Sequence, residues 1–169
     1  MNQMNTTPLQ ERDCSWARAL HIFGDKWSIL IIREAFAGVS KFSDFQRNIG
    51  LAKNILATRL DMLCEHEVMM RVPQREGSSR SAYVLTPKGQ ALFPIIVAIG
   101  QWGDKWIFGS KGEPVRIVDK ETGSPVQPIA VFSHSGRHLN SSDVTMTAGP
   151  GASERTTNHL ARLAKASNR

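Results

Sequence analysis

The apolar residues of this chain change their period at Val68, and that change limits the folds open to it. Before Val68 they recur at helical spacing. After it, two short extended runs face each other across a polar loop. Leu56, Leu60 and Leu63, flanked by Ile55 and Met62, mark the buried face of a helix predicted from about Ala52 to His66. Val68 to Arg75 reads as a strand, with Pro73 denying one edge a donor. Glu76-Gly77-Ser78-Ser79-Arg80 is a loop, and Ser81 to Leu85 is the returning strand.

The flanking segments extend this pattern. A first helix is predicted from Asp13 to Phe23, with Asp13 as N-cap and Trp16, Leu20 and Phe23 on one face. Gly24 stops it, and Asp25 caps a second helix, Lys26 to Ala37. The run Trp27 to Ile32 is apolar on most sides and places that helix in the core. Ser40 to Phe42 is a short extended piece. Ser43-Asp44-Phe45-Gln46 has the form of a capping box opening a third helix that ends near Ile49, and Gly50 supplies a tight turn. Thr86-Pro87 offers an N-cap followed by proline at the first helical position. The helix beyond runs to about Phe108 with an apolar stripe of Leu92, Ile95, Ile96, Ile99, Trp102 and Trp106, and Pro94 predicts a kink or break.

This order gives a mainly α fold with a small β-hairpin wing, a winged helix-turn-helix. Residues 1–12 are polar and expected to be flexible. Residues 13–109 are expected to form a DNA-binding and dimerisation domain. Residues 110–148, rich in Gly, Pro, Ser and Val, form a short β-rich extension with runs at Val115–Val118 and Ile129–Phe132. Residues 149–169 read as a disordered basic tail, with at most a weak amphipathic turn around Leu160 and Leu163.

The net charge of +6 permits an acidic partner, nucleic acid or membrane. No run approaches the roughly 18–20 apolar residues that cross a bilayer, and Met1 to Pro8 lacks a basic segment followed by an apolar core. The expectation is a cytoplasmic protein with no membrane partner. Cys14 and Cys64 alone make neither a disulfide framework nor a zinc cage. No paired carboxylates, Gly-rich phosphate loop or nucleophile motif suggests an enzyme, and no metal or other cofactor is expected.

A helix enters the major groove with a polar outer face and its N-terminal half toward the bases. The fourth helix shows Lys53, Asn54, Thr58 and Arg59 on that side. Asn suits adenine and Arg suits guanine, while Arg59 could also pack structurally under the wing. Arg75, Ser78, Ser79 and Arg80 furnish the hairpin. Lys41, Ser43 and Arg47, at the positioning helix, suit phosphate contacts. The partner so predicted is double-stranded DNA. The alternative is a winged-helix protein-interaction module that does not bind DNA.

Several strings carry a resemblance. Cys14-Ser-Trp-Ala-Arg-Ala-Leu20, Phe23-Gly-Asp-Lys-Trp27, Leu30-Ile-Ile-Arg33-Glu, Phe42-Ser43-Asp44-Phe45, Leu56-Ala-Thr-Arg59-Leu60 and Tyr83-Val-Leu-Thr-Pro-Lys-Gly89 occur in order over residues 13–108. This pattern resembles the HxlR family of bacterial and archaeal transcriptional regulators. The resemblance implies a homodimer formed through the first and last helices, here Trp16 and Leu20 with Ile95, Ile99, Trp102 and Trp106. It also implies a palindromic operator read by the fourth helix and the wing. Repression by occlusion is the default expectation for a small regulator with no effector domain. Ala52 departs from the Ser or Thr usual at the start of the recognition helix. The C-terminal extension resembles that of longer members with zinc-ribbon cysteines, but Thr122-Gly123 and Ser133-His134-Ser135-Gly136 stand in their places, so no metal site is expected.

Cys14 lies between Arg12 and Arg18 near the start of the first helix, a cationic setting of the kind that makes a thiol reactive. Several relatives keep a cysteine there. The resemblance therefore implies a redox sensor responding to an oxidant or a small-molecule electrophile, against the alternative of a purely structural cysteine. Cys64 reads as a small hydrophobe in the core.

Overall fold

The computed structural model describes residues 7–167. The chain divides into two compact units. One comprises Ala19–Ile129; the other combines the residues up to Arg18 with those from Ala130 onward.

Helix α1 spans Ser15–Phe23 and crosses from one unit to the other. In the larger unit, α2 (Lys26–Phe36) occupies the centre, as its apolar run requires: Ile31 and Ile32 are fully buried. Asp25 caps it, accepting from the backbone N–H groups of Trp27 at 3.0 Å and Ser28 at 3.1 Å. Helix α3 (Phe42–Ile49) follows, and Gly50 ends it in a left-handed conformation, φ 74°, that lets the chain turn tightly into the next helix. Helix α4 (Lys53–Glu65) lays Leu56, Leu60 and Leu63 wholly inside the core. Phe45, Leu51, Val68 and Met69 complete that cluster.

Strands β1 (Met69–Pro73) and β2 (Ser81–Leu85) pair antiparallel, Met69 opposite Leu85 and Pro73 opposite Ser81. Proline thus sits at the strand's end, where its missing N–H costs least. The extended piece before α3 joins the sheet: Lys41 bridges to Ala82, and the Tyr83 N–H donates to the Ser40 carbonyl at 2.8 Å.

Thr86 caps α5 (Pro87–Gln90) through the Gly89 N–H. Gly89 is buried against β1, and a Cβ there would stand 2.1 Å from the Val68 carbonyl oxygen. Only glycine permits that approach. The kink or break expected at Pro94 is a break, and the stretch to Phe108 forms three pieces: α5, then α6 (Phe93–Gly103), then one wider π-type turn, Asp104–Phe108. The break comes ahead of Pro94, at Ala91 and Leu92, because proline suits the first turn of a new helix, where its absent N–H has no partner to lose. Beyond it, the Gln101 side chain clamps the extension, donating to the Gln127 carbonyl at 3.0 Å and accepting from the Ile129 N–H at 2.7 Å. Val118 bridges to Pro125.

In the smaller unit, β3 (Val131–Phe132) pairs with β4 (His138–Leu139). Three expectations are corrected. Leu9–Glu11 form a 3-10 turn within the segment read as flexible, while residues 1–6 lie outside the described residues. The tail read as disordered holds a helix, α7, at Glu154–Ser167, with residues 168–169 outside the description. Asp13 does not cap α1. Its carboxylate accepts from the Ser153 N–H at 2.9 Å and the Thr156 hydroxyl at 2.7 Å, at the start of α7. That tie spans about 140 residues of sequence, beyond the reach of any local pattern.

Candidate nucleic-acid interface

The two faces of α4 have opposite character. Its leucines are buried, while Lys53, Asn54 and Thr58 are exposed in its N-terminal half. Ala52 stands at the N-cap without a side-chain hydrogen bond, so this helix presents unpaired backbone N–H groups at its exposed start. The Thr58 hydroxyl donates back to the Asn54 carbonyl at 2.9 Å, which restricts its rotamer.

Arg59 is placed differently from its three neighbours. Its Nε stands 3.3 Å from Asp25 Oδ1, within ion-pair reach but off the hydrogen-bonding direction, and is shut off from solvent. The guanidinium therefore sits on the carboxylate that caps α2, and acts as a strut between α2 and α4. That is a structural role, as its sequence position allowed, alongside any contact with DNA.

The capping box expected at Ser43 does not form. Helix α3 starts two residues earlier than that box requires, at Phe42, with Lys41 as a cap that makes no side-chain hydrogen bond. The bridge from Lys41 to Ala82 fixes the backbone there, so tertiary pairing overrides the local signal. Ser43 is left exposed with its hydroxyl free for an outside partner. Arg47 is exposed and pairs with Asp44 one turn back at 2.8 Å, a contact that solvent screens and a phosphate could displace.

The structure brings Lys41 and Ser43 together with Arg80: all three line one open cleft of about 660 Å³ where α3 meets the hairpin. Gln74 lines it as well. Its side chain donates to the Ser81 carbonyl at 3.0 Å, a wing position that sequence reasoning passed over. At the hairpin tip, Gly77 takes φ 72° and Ser78 is used internally, accepting from the Arg80 N–H at 3.0 Å. Ser79, Arg75 and Arg80 remain exposed. Sequence reasoning also missed Arg71, which pairs with Asp61 of α4 and lies over the Tyr83 ring at 5.6 Å. It ties hairpin to helix, and its signal was the lone cation within an apolar strand.

The family described as HxlR-like helix-turn-helix matches residues 22–111. The chain belongs to that family. An uncharacterised HTH-type transcriptional regulator of Mycobacterium tuberculosis is 37% identical over 137 residues, covering 81% of this chain and 87% of the relative. The regulator YvaP of Bacillus subtilis is 32% identical over 108 residues, 63% of this chain and 94% of its own length. Among solved structures, PA1607, described as a candidate transcription factor, superposes with TM-score 0.79 at 44% identity, covering 85% of this chain and all of that one. PA1374 of Pseudomonas aeruginosa, described likewise, superposes with TM-score 0.61 at 34% identity, over 86% of this chain and 99% of its own. This HxlR-like chain is thus a helix-turn-helix transcriptional regulator with a winged-helix fold.

Among the described residues, no helix is long and apolar enough to cross a membrane. Nor, among them, is any group of three His, Cys, Asp or Glu side chains placed to hold a metal ion.

Proposed function

We propose that this HxlR-like protein binds double-stranded operator DNA as a homodimer, and that it represses. The observation carrying this reading is the exposed N-terminal half of α4, with Lys53, Asn54 and Thr58 outward, beside a cleft shared by Lys41, Ser43 and Arg80. In this arrangement α4 supplies base contacts in the major groove. Lys41, Ser43, Arg47, Arg75, Ser79 and Arg80 hold phosphates and set the register. Arg59 keeps α4 seated, and Ser78 shapes the wing.

Dimerisation is supported by α6 and the π-type turn that follows it. Ile95 and Ile99 are half exposed, Trp102 is 60% exposed and Trp106 66%. A contiguous apolar face of this kind is unusual unless another surface covers it. Trp16 and Leu20 of α1 are exposed as well. Two copies paired through such faces present two recognition helices, which suits a palindromic site with half-sites spaced by whole helical turns. A dimer seated there keeps other proteins off that DNA, hence repression by occlusion. The domain carrying both roles is proposed as residues 13–109, in a cytoplasmic protein.

Cys14 is exposed, whereas Cys64 is half-buried and its thiol is pushed up by burial. Cys14 is therefore the thiol through which an oxidant or electrophile would act. Unchanged operator affinity after alkylation of Cys14 would remove that role.

The test is selection. The protein is mixed with sheared genomic DNA at about 0.15 M salt, and bound fragments are sequenced. The proposal expects enrichment of fragments sharing an inverted repeat. Recovery of the bulk genome without enrichment, or of no DNA at all, contradicts it and favours a protein partner.

A further inference from the structure

In the smaller unit, a cavity of about 500 Å³ opens between the N-terminal segment and α7. We propose that this cavity binds a small organic oxyanion, a carboxylate- or phosphate-bearing molecule. The proposal holds whatever α4 contacts.

Its wall is cationic by construction. Arg155, His159 and Arg162 recur at the spacing that puts them on one face of α7, and all three line the cavity. Arg12 lines it from the opposite segment, and its Nε is held by the Thr7 carbonyl at 2.9 Å. Among the described residues, neither Arg155 nor Arg162 makes an ion pair. Guanidinium forks match the two oxygens of a carboxylate or phosphate, and a histidine ring adds a further donor.

Two carboxylates share the wall, and they do not cancel this charge. Asp13 is already committed to the start of α7, bonded to the Ser153 N–H and the Thr156 hydroxyl. Those bonds hold its carboxyl down at about 2, and they fix the helix that carries the cations. That leaves Glu11 as a single counter-charge beside Arg155 and Arg162. The Ala17 side chain, buried, gives the cavity an apolar floor. The space lies in the range of small-molecule sites and exceeds what a bare inorganic ion fills.

Cys14 lines the same cavity, so a bound molecule should shield it. The experiment follows Cys14 alkylation by iodoacetamide on the full chain, read by mass spectrometry, with Cys64 as internal reference. Citrate and inorganic phosphate are the probes, against chloride at matched ionic strength. Wild type should show at least about a threefold slower rate at Cys14 with one or both probes, and no change at Cys64. Which probe protects separates carboxylate from phosphate recognition. Protection should vanish in the double variant Arg155→Gln with Arg162→Gln. Arg162→Glu alone, which leaves the contacts at the start of α7 intact, should abolish it too. If neither probe slows Cys14, or if both variants are protected like wild type, the assignment fails.

Discussion

The seat of the recognition helix hangs on one carboxylate, and removing it has a calculable consequence. Asp25 accepts from two backbone N–H groups at the start of α2, and also from the hydroxyl of Ser28, a fully buried residue. It further faces Arg59 of α4 at 3.3 Å. In Asp25→Ala, the lost cap costs about 1 kcal/mol. The Ser28 hydroxyl, left buried without an acceptor, costs about 1–3 kcal/mol more. The ion pair adds less than about 1 kcal/mol, because both side chains keep roughly a third of their exposure. The expected loss is about 2–5 kcal/mol, or about 4–20 °C in Tm for a chain of this size. Asp25→Asn keeps a carbonyl oxygen for the cap and should lose only about 0.5–1.5 kcal/mol. Urea unfolding of both variants, with Arg59→Ala and the double variant closing a thermodynamic cycle, measures each part. The cycle should return a coupling of about 0.2–1 kcal/mol. If Asp25→Ala and Asp25→Asn cost the same, the capping argument is wrong. If the coupling is zero, Arg59 is not a strut.

Gly89→Ala should destabilise by more than about 1 kcal/mol, since its methyl would meet the Val68 carbonyl; calorimetry showing a Tm equal to wild type would contradict that close approach. Asp13 is depressed to about 2 from an unfolded value of 3.8. Its contribution is therefore present above pH 4 and fades between pH 4 and pH 2. Hydrogen exchange in α7 should accelerate across that window in wild type, and Asp13→Asn should remove the dependence; a flat wild-type profile refutes the tie. Trp102→Ala with Trp106→Ala should shift the protein from dimer to monomer by light scattering with little loss of fold, because both rings are exposed in the single chain; an unchanged mass removes α6 from the interface.

Much of this was legible in the chain because the deciding residues lie close together in sequence. Leu56, Leu60 and Leu63 announce α4 by spacing alone, Gly50 announces the turn before it, and Ser81–Leu85 form the returning strand expected after the polar loop. The rest depends on partners far away. Arg59 looks like a groove-facing cation until Asp25, more than thirty residues earlier, takes it. Ser43 has every local mark of an N-cap, yet the pairing of Lys41 with Ala82 starts the helix ahead of it, at Phe42. Helix α7 carries few apolar residues and reads as tail until Asp13 fixes its first turn.

The central claim is that the outward side of α4 and the adjoining wing form a DNA-binding surface. Its most direct measurement is the salt dependence of binding to a selected genomic fragment, followed by fluorescence anisotropy. Wild type should lose affinity steeply with salt, with log K linear in log salt. Arg75→Ala with Arg80→Ala should flatten that slope by up to about 4, two phosphates in each of two subunits. Lys53→Ala with Asn54→Ala should instead erode discrimination between the selected fragment and random DNA. A shallow wild-type slope that none of these four substitutions alters would show that DNA is bound elsewhere, or not at all.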